Sequence, residues 1–266
     1  MMEERKPILS VKEVYGGYEN IQILHGISFD VFQGEKICIL GQNGCGKTTL
    51  LRAIANMIPF QGEVVACGLS VKKAKRLEVA KTISLMTQMH SLYFSYTVYE
   101  TVMMGRYAYQ KGIFFSSNEE DKKIVEESLK QTKAWELRDR LLTELSGGQL
   151  QRVMLARVLA QSPNIILLDE PTNHLDLKYQ IELMEYLNEW VKKGERCVIS
   201  VLHDMNLAIN FSDKIFLMQE GRGVKYTSVQ EFPLSILNEV YGIDIGAYMK
   251  TSLKKWDTLE KNGVKI

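Results

Sequence analysis

Gly41-Gln42-Asn43-Gly44-Cys45-Gly46-Lys47-Thr48-Thr49 constrains this chain more than any other stretch. It satisfies G-x-x-x-x-G-K-[ST] with both glycines, the lysine and the hydroxyl in place. Lys36 to Leu40, just before it, reads as a short buried strand. Leu50, Leu51, Ile54, Ala55 and Ile58, just after it, are apolar at helical spacing until Pro59. In a strand, glycine loop and helix, backbone N–H groups can converge on an anion. The helix N-terminus adds unpaired donors and a positive dipole end. Lys47 can then reach β- and γ-phosphates, and the Thr48 hydroxyl can hold Mg²⁺. A glycine turn that only caps a helix is the bland alternative, and the flanking segments argue against it.

A phosphate loop changes the weight of what lies further on. Ile165 to Leu168 is an apolar run ending in Asp169-Glu170. That suits a parallel strand delivering carboxylates to the sheet edge where ligands bind in open α/β folds. Asp169 would hold Mg²⁺, and Glu170 would orient and polarise an attacking water. Cys197 to Leu202 is a similar run ending in His203-Asp204, which makes His203 a better candidate than a lone histidine. Leu145-Ser146-Gly147-Gly148-Gln149 opens another helix. Ser146 can be a plain N-cap, or this helix end can bind phosphate.

Composition sets the bounds. The 266 residues are 45% hydrophobic and 24% charged, which allows a sizeable core. A net charge of +1 gives no argument for nucleic acid or an anionic membrane surface. No apolar run approaches a membrane span. The opening MMEERKPILS mixes charges and is not expected to be a signal peptide. Cys38, Cys45, Cys67 and Cys197 form no C-x-x-C pair, so neither zinc nor a disulfide framework is expected.

The remaining stretches are less specific. Ile8 to Val14, Ile21 to Leu24 and Ile27 to Phe32 read as short strands, punctuated by Gly16-Gly17 and Gln33-Gly34. Residues 60–66, 82–87 and 214–218 read as strands too, with a turn at Gly221 to Gly223. Lys72, Lys73, Lys75 and Arg76 suit a solvated face. Tyr93, Phe94, Tyr96, Tyr99, Tyr107, Tyr109, Phe114 and Phe115 crowd one region, either as the core of a subdomain or as a docking surface. Ser117 and Glu120 fit a capping box opening a helix to about Lys133.

The order of phosphate loop, Gln88, LSGGQ, Asp169-Glu170 and His203 resembles that of the ATP-binding cassette (ABC) ATPases, over about residues 7 to 245. LSGGQ continuing into Gln151-Arg152-Val153 and Ala156-Arg157 is specific to that family. The resemblance implies an α/β P-loop NTPase of ABC type. Such a fold has a mainly parallel core sheet, an N-terminal antiparallel β subdomain and an inserted helical subdomain at about 89–160. One ATPase domain would cover 7–245, with 246–266 as a short tail. It also implies roles. Tyr18 looks like the aromatic that stacks on adenine. Gln88 looks like the glutamine that meets Mg²⁺ and the attacking water. Glu170 resembles the catalytic base, and His203 the histidine that contacts the γ-phosphate. Asp176 matches the aspartate of the loop that crosses to a second copy. Ser146, Gly147, Gly148 and Gln149 resemble the signature that completes the partner copy's ATP site.

Thr97-Val98-Tyr99-Glu100-Thr101-Val102 with Gly105-Arg106-Tyr107 resembles the importer branch for iron-siderophore, haem and cobalamin. Pro171 to Asp176, His203 to Ala208 and Val240-Tyr241-Gly242-Ile243-Asp244 do so as well. That branch implies ATP and Mg²⁺ as cofactors, a head-to-tail dimer, polytopic permease subunits and, through them, an extracytoplasmic substrate-binding protein. It implies a cytoplasmic protein held peripherally at the inner face of the membrane, with no nucleic-acid partner. A soluble cassette acting on a ribosome or an assembly machine is the competing reading, and such proteins carry two cassettes per chain. Cys45 stands where serine or alanine is more usual. Its place beside Lys47 and a helix N-terminus predicts a stabilised thiolate, alkylation of which should inhibit hydrolysis with protection by MgATP.

Overall fold

The structure, a computed structural model, describes residues 5–19, 21–87, 96–110, 118–173 and 175–261, with the backbone alone for 257–261. Strands β1 (Leu9–Tyr18) and β2 (Ile21–Val31) pair antiparallel, and β3 (Lys36–Leu40) runs through the glycine loop into helix α1 (Lys47–Ile54). Next come β4 (Phe60–Ala66), β5 (Leu69–Ser70), α2 (Arg76–Thr82) and β6 (Ile83–Met86). A helical stretch follows, with α3 (Val98–Met103), a 3₁₀ turn over Met104–Tyr109, α4 (Glu119–Gln131) and α5 (Gly147–Ala160). The chain then alternates through β7 (Ile165–Asp169), α6 (Leu177–Val191), β8 (Cys197–Val201), α7 (Met205–Phe211) and β9 (Lys214–Gln219). It closes with β10 (Arg222–Ser228), α8 (Leu234–Tyr241) and α9 (Ile245–Lys261).

Among the described residues the strands form two sheets. One is antiparallel, in the order β2-β1-β4-β5. The other runs β10-β9-β3-β8-β7-β6, parallel from β9 to β6 with β10 antiparallel at its edge. This is the expected α/β class with a mainly parallel core. The central strands β3, β7 and β8 are buried almost throughout and mostly apolar because both faces are covered. Ile37, Ile39, Ile165, Leu167 and Ile199 face α1 and the antiparallel sheet. Cys38, Leu40, Ile166, Leu168 and Val198 face α5, α6 and α8. Phe29 and Phe216, with ring centroids 4.8 Å apart, and Tyr226, whose hydroxyl donates to the Asp30 carbonyl at 2.6 Å, join the two sheets.

Some local expectations differ from the structure. β2 is one strand, where the sequence suggests two, Ile21 to Leu24 and Ile27 to Phe32. Gly26 at φ 75° accommodates an irregularity in the pairing near Val14, and the strand continues past it. Gly16 and Gly17 lie inside β1 rather than after it. Gly223 is the second residue of β10, so the turn ends at Gly221. α1 stops at Ile54, well before Pro59, and Asn56 takes a left-handed φ of 56°. α4 begins at Glu119 with Asn118 as its cap, the Asn118 side chain accepting from the Asp121 N–H at 2.7 Å. The expected cap Ser117 lies outside the described residues, as do Tyr93, Phe94, Phe114 and Phe115. Of the other aromatics, Tyr99 packs on the core and Tyr109 donates to the Gln161 carbonyl, whereas Tyr96 and Tyr107 are exposed. No helix among the described residues is long and apolar enough to cross a membrane.

Candidate active site

Three strand ends converge at one edge of the parallel sheet. Asp169 pairs with Val201 across β7 and β8, and Ile39 with Val201 across β3 and β8. Gly41, Glu170 and His203 therefore follow neighbouring strands at nearly the same height, where α/β sheets bind their ligands.

The loop is built for an anion. Gly41, Gly44 and Gly46 all have positive φ. At Gly41, with φ 149°, a Cβ would stand 2.3 Å from the Met218 carbonyl oxygen, so only glycine fits. Gly46 caps α1 with no side-chain hydrogen bond. By contrast, α3, α4, α5, α6 and α7 are capped by the side chains of Thr97, Asn118, Ser146, Asp176 and Asp204. The N–H groups at the start of α1 are thus not taken by a capping side chain and suit phosphate oxygens. Lys47 Nζ donates to the carbonyls of Gly41 at 2.7 Å and Gln42 at 2.9 Å. Gln42 and Asn43 are exposed at the loop's outer side, and Thr49 is buried beneath it.

The Thr48 hydroxyl donates to Asp169 Oδ1 at 3.1 Å, so the two expected Mg²⁺ ligands meet. Both offer hard oxygen donors, the chemistry that ion prefers. No larger group of acidic, histidine or cysteine ligands exists among the described residues. Burial pushes the Asp169 carboxyl above its usual range, against the pull of the Thr48 hydroxyl. A carboxyl raised in the fold gives its full stabilisation below its unfolded pKa and loses it as pH rises through the folded value. At neutral pH the ionised group therefore costs stability. Asp169→Asn is expected to raise the thermal midpoint of the nucleotide-free chain and to abolish Mg²⁺-dependent ATP affinity. The gain should shrink as pH falls through the carboxylate range. A lowered midpoint at neutral pH would refute the burial argument.

Glu170 directly follows β7, with its N–H donating to the Val201 carbonyl at 3.1 Å and its φ at 54°. A non-glycine residue in that region is strained, and such strain concentrates at functional sites. Both carboxylate oxygens are engaged. Oε1 lies 2.6 Å from His203 Nε2, and Oε2 accepts from Asn173 Nδ2 at 2.6 Å. Glu170 and His203 are thus brought together as their strand ends suggest. Asn173 is a residue the sequence reading missed. It lies one turn beyond Glu170, inside the segment Pro171 to Asp176, and that spacing was the available signal. Gln151 was also missed. Its Nε2 donates to the Pro171 carbonyl at 2.8 Å and joins α5 to the turn after Glu170.

The other expected residues have these places. Ser146 and Gln149 form a reciprocal capping box at the exposed start of α5, where Gly147 and Gly148 are the first helical residues. Asp176 caps α6 by accepting from the Tyr179 N–H at 3.1 Å. The Tyr18 hydroxyl accepts from Arg52 of α1 at 2.8 Å, with the guanidinium over the ring at 5.9 Å. Gln88, His90 and His174 lie outside the described residues. Cys45 corrects an expectation. The thiol is buried, and burial pushes its pKa up more strongly than Lys47 and the nearby N–H groups pull it down. A ready thiolate there is not supported.

A family model described as ABC transporter matches residues 24–173. The chain is 39% identical over 215 residues to a probable siderophore transport system ATP-binding protein of Bacillus subtilis, covering 80% of this chain and 78% of that protein. It is 33% identical over 238 residues to the iron(3+)-hydroxamate import ATP-binding protein of the same organism, covering 89% and 88%. Another relative there, an uncharacterized ABC transporter ATP-binding protein, is 36% identical over 90% of this chain, which spans 55% of that protein's length. Among solved structures, an ATP-binding cassette dimer in a post-hydrolysis state with ADP and Pi matches with a TM-score of 0.74 at 29% identity, over 84% of this chain and 100% of that one. A chain from a transporter described as of metal-chelate type, in an inward-facing conformation, matches with a TM-score of 0.75 at 27% identity, over 89% and 90%.

Proposed function

From the premise that this chain belongs to the ABC transporter family of ATPases, we propose that it is the ATP-hydrolysing subunit of a membrane importer for an iron chelate or cobalamin. The observation that carries the mechanism is the pairing of Thr48 with Asp169 beside a Glu170 carboxylate held at both oxygens. Relatives named for siderophore and hydroxamate import support the choice of branch.

In this reading the loop N–H groups and Lys47 bind the β- and γ-phosphates, and Tyr18 takes the adenine. Thr48 and Asp169, with Gln88, hold Mg²⁺, which when bound neutralises charge on the phosphate oxygens. Glu170 accepts a proton from the water as its oxygen attacks the γ-phosphorus. The bond to the β–γ bridging oxygen breaks, and the electron pair leaves with ADP. His203 orients Glu170 and meets the γ-phosphate. Asn173 fixes the other carboxylate oxygen, so the base is preorganised.

The site is completed by a second copy. Ser146, Gly147, Gly148 and Gln149 reach the partner's γ-phosphate, and Asp176 lies in the crossing loop. Residues 7–245 act as one ATPase domain, the inserted helices at about 89–160 dock on permease subunits, and Tyr96 and Tyr107 belong to that face. The chain would sit at the inner face of the membrane through those permeases, with an extracytoplasmic binding protein selecting the substrate. The test is affinity purification from detergent-solubilised membranes. A tagged chain is expected to bring down polytopic membrane proteins. Recovery of ribosomal or assembly proteins in their place would overturn the transport reading.

A further inference from the structure

The C-terminal part of the chain reaches the phosphate loop from behind. Gly41 N–H donates to the Tyr241 hydroxyl at 3.1 Å, and Gln42 Nε2 donates to the Val240 carbonyl at 2.7 Å. Both acceptors belong to the last turn of α8. That turn is itself anchored. Leu237 and Val240 are buried in the main core, and the Asn238 side chain accepts from the Ile245 N–H at 3.0 Å, bracing α8 against α9. Gly242 closes α8 in a left-handed conformation at φ 71°.

The two residues tied to α8 are the two that hold Lys47. Gly41 and Gln42 each present a carbonyl to the ammonium, at 2.7 and 2.9 Å. An ammonium has three N–H donors. With two directed at these carbonyls, the third is fixed in direction and remains for phosphate. The placement of residues 41 and 42 therefore decides where that donor aims, and α8 is bonded to both residues. We propose that the last turn of α8 is part of the nucleotide-binding machinery, with Tyr241 and the Val240 carbonyl acting as positioning groups that aim the Lys47 ammonium through the carbonyls of Gly41 and Gln42. This inference rests on the ATPase reading above and extends it to a segment beyond the phosphate loop, the carboxylates and the histidine.

The experiment titrates MgATP into four forms of the full chain: unaltered, Tyr241→Phe, Lys47→Ala and the double variant. Phenylalanine keeps the ring in its half-buried seat and removes only the hydroxyl. Loss of one such hydrogen bond is expected to weaken MgATP about fivefold when Lys47 is present. It should change affinity little in the Lys47→Ala background, because the hydroxyl acts through the lysine. Equal weakening in both backgrounds would make Tyr241 a purely structural residue and overturn the proposal. An unchanged affinity with Lys47 present would overturn it as well. If the unaltered chain fails to bind MgATP, the nucleotide reading falls first and the positioning role with it.

Discussion

Glu170→Gln is expected to slow ATP hydrolysis by about a hundred- to ten-thousand-fold, the range for loss of a general base. Binding of MgATP should stay close to that of the unaltered chain. Glutamine matches the shape of glutamate. Its carbonyl can accept from Asn173 Nδ2, and its amide can face His203 Nε2, the two groups that hold the carboxylate at 2.6 Å each. What it cannot do is take a proton from water. Lys47, Thr48 and the uncapped start of α1 are untouched, so the phosphates keep their donors. ATP bound without turnover should accumulate a dimer, visible by size-exclusion chromatography with MgATP and absent with MgADP. Turnover within a few-fold of the unaltered chain would remove Glu170 from the role of base.

Asp121→Ala is expected to destabilise the chain by about 3–5 kcal/mol, the cost of leaving a buried charge without its partner. Asp121 and Arg106 form an ion pair at 2.8 Å with both side chains only 5% exposed. The guanidinium also donates to the Ala160 carbonyl at 2.7 Å and to the Ser162 hydroxyl at 3.1 Å, and it lies 3.9 Å from the Tyr109 ring centroid. It thus fastens the 3₁₀ turn over 104–109 and α4 to the end of α5. The surface pair Lys130–Glu126 on α4 offers an internal comparison, because both its side chains are largely exposed and its loss should cost little. Urea denaturation of Asp121→Ala and Glu126→Ala measures the difference. A loss of less than about 1 kcal/mol from Asp121→Ala, typical of exposed pairs, would mean that water solvates the pair.

What could be read from the sequence was local. The strand, loop and helix around Lys47 announced themselves because an apolar run, three glycines and a helical pattern follow one another directly. Asp169-Glu170 and His203 could be placed because each ends an apolar run, and parallel strands bring such ends to one edge. Contacts that depend on closure of the fold left little trace. Asn173 reaches Glu170 only because the backbone turns sharply at φ 54°. Tyr241 reaches Gly41 across 200 residues of chain, and no spacing rule spans that gap. Cys45 looked activated beside a cation, but packing that no local pattern shows buries its sulfur and reverses the sign. Arg106 stood out in the sequence only within Gly105-Arg106-Tyr107, and no local pattern joined it to Asp121, 15 residues further on. The gap between Ile21 to Leu24 and Ile27 to Phe32 is no strand break, because the pairing absorbs Gly26 and β2 goes on.

The sheet order has a consequence for how the protein is made. β3, the strand that carries the phosphate loop, lies between β8 and β9. Its parallel partners run from Val198 to Val201 and from Lys214 to Leu217. During synthesis, the ribosome releases Lys36–Leu40 long before either neighbour exists. The nascent chain must carry that apolar strand, and the loop behind it, without a place to put them. Such a delay costs loop-closure entropy and exposes sticky surface. ATP, however abundant in the cell, has no formed site on the growing chain with which to steer its folding. Ligand stabilisation by mass action begins only after β8 and β9 have emerged.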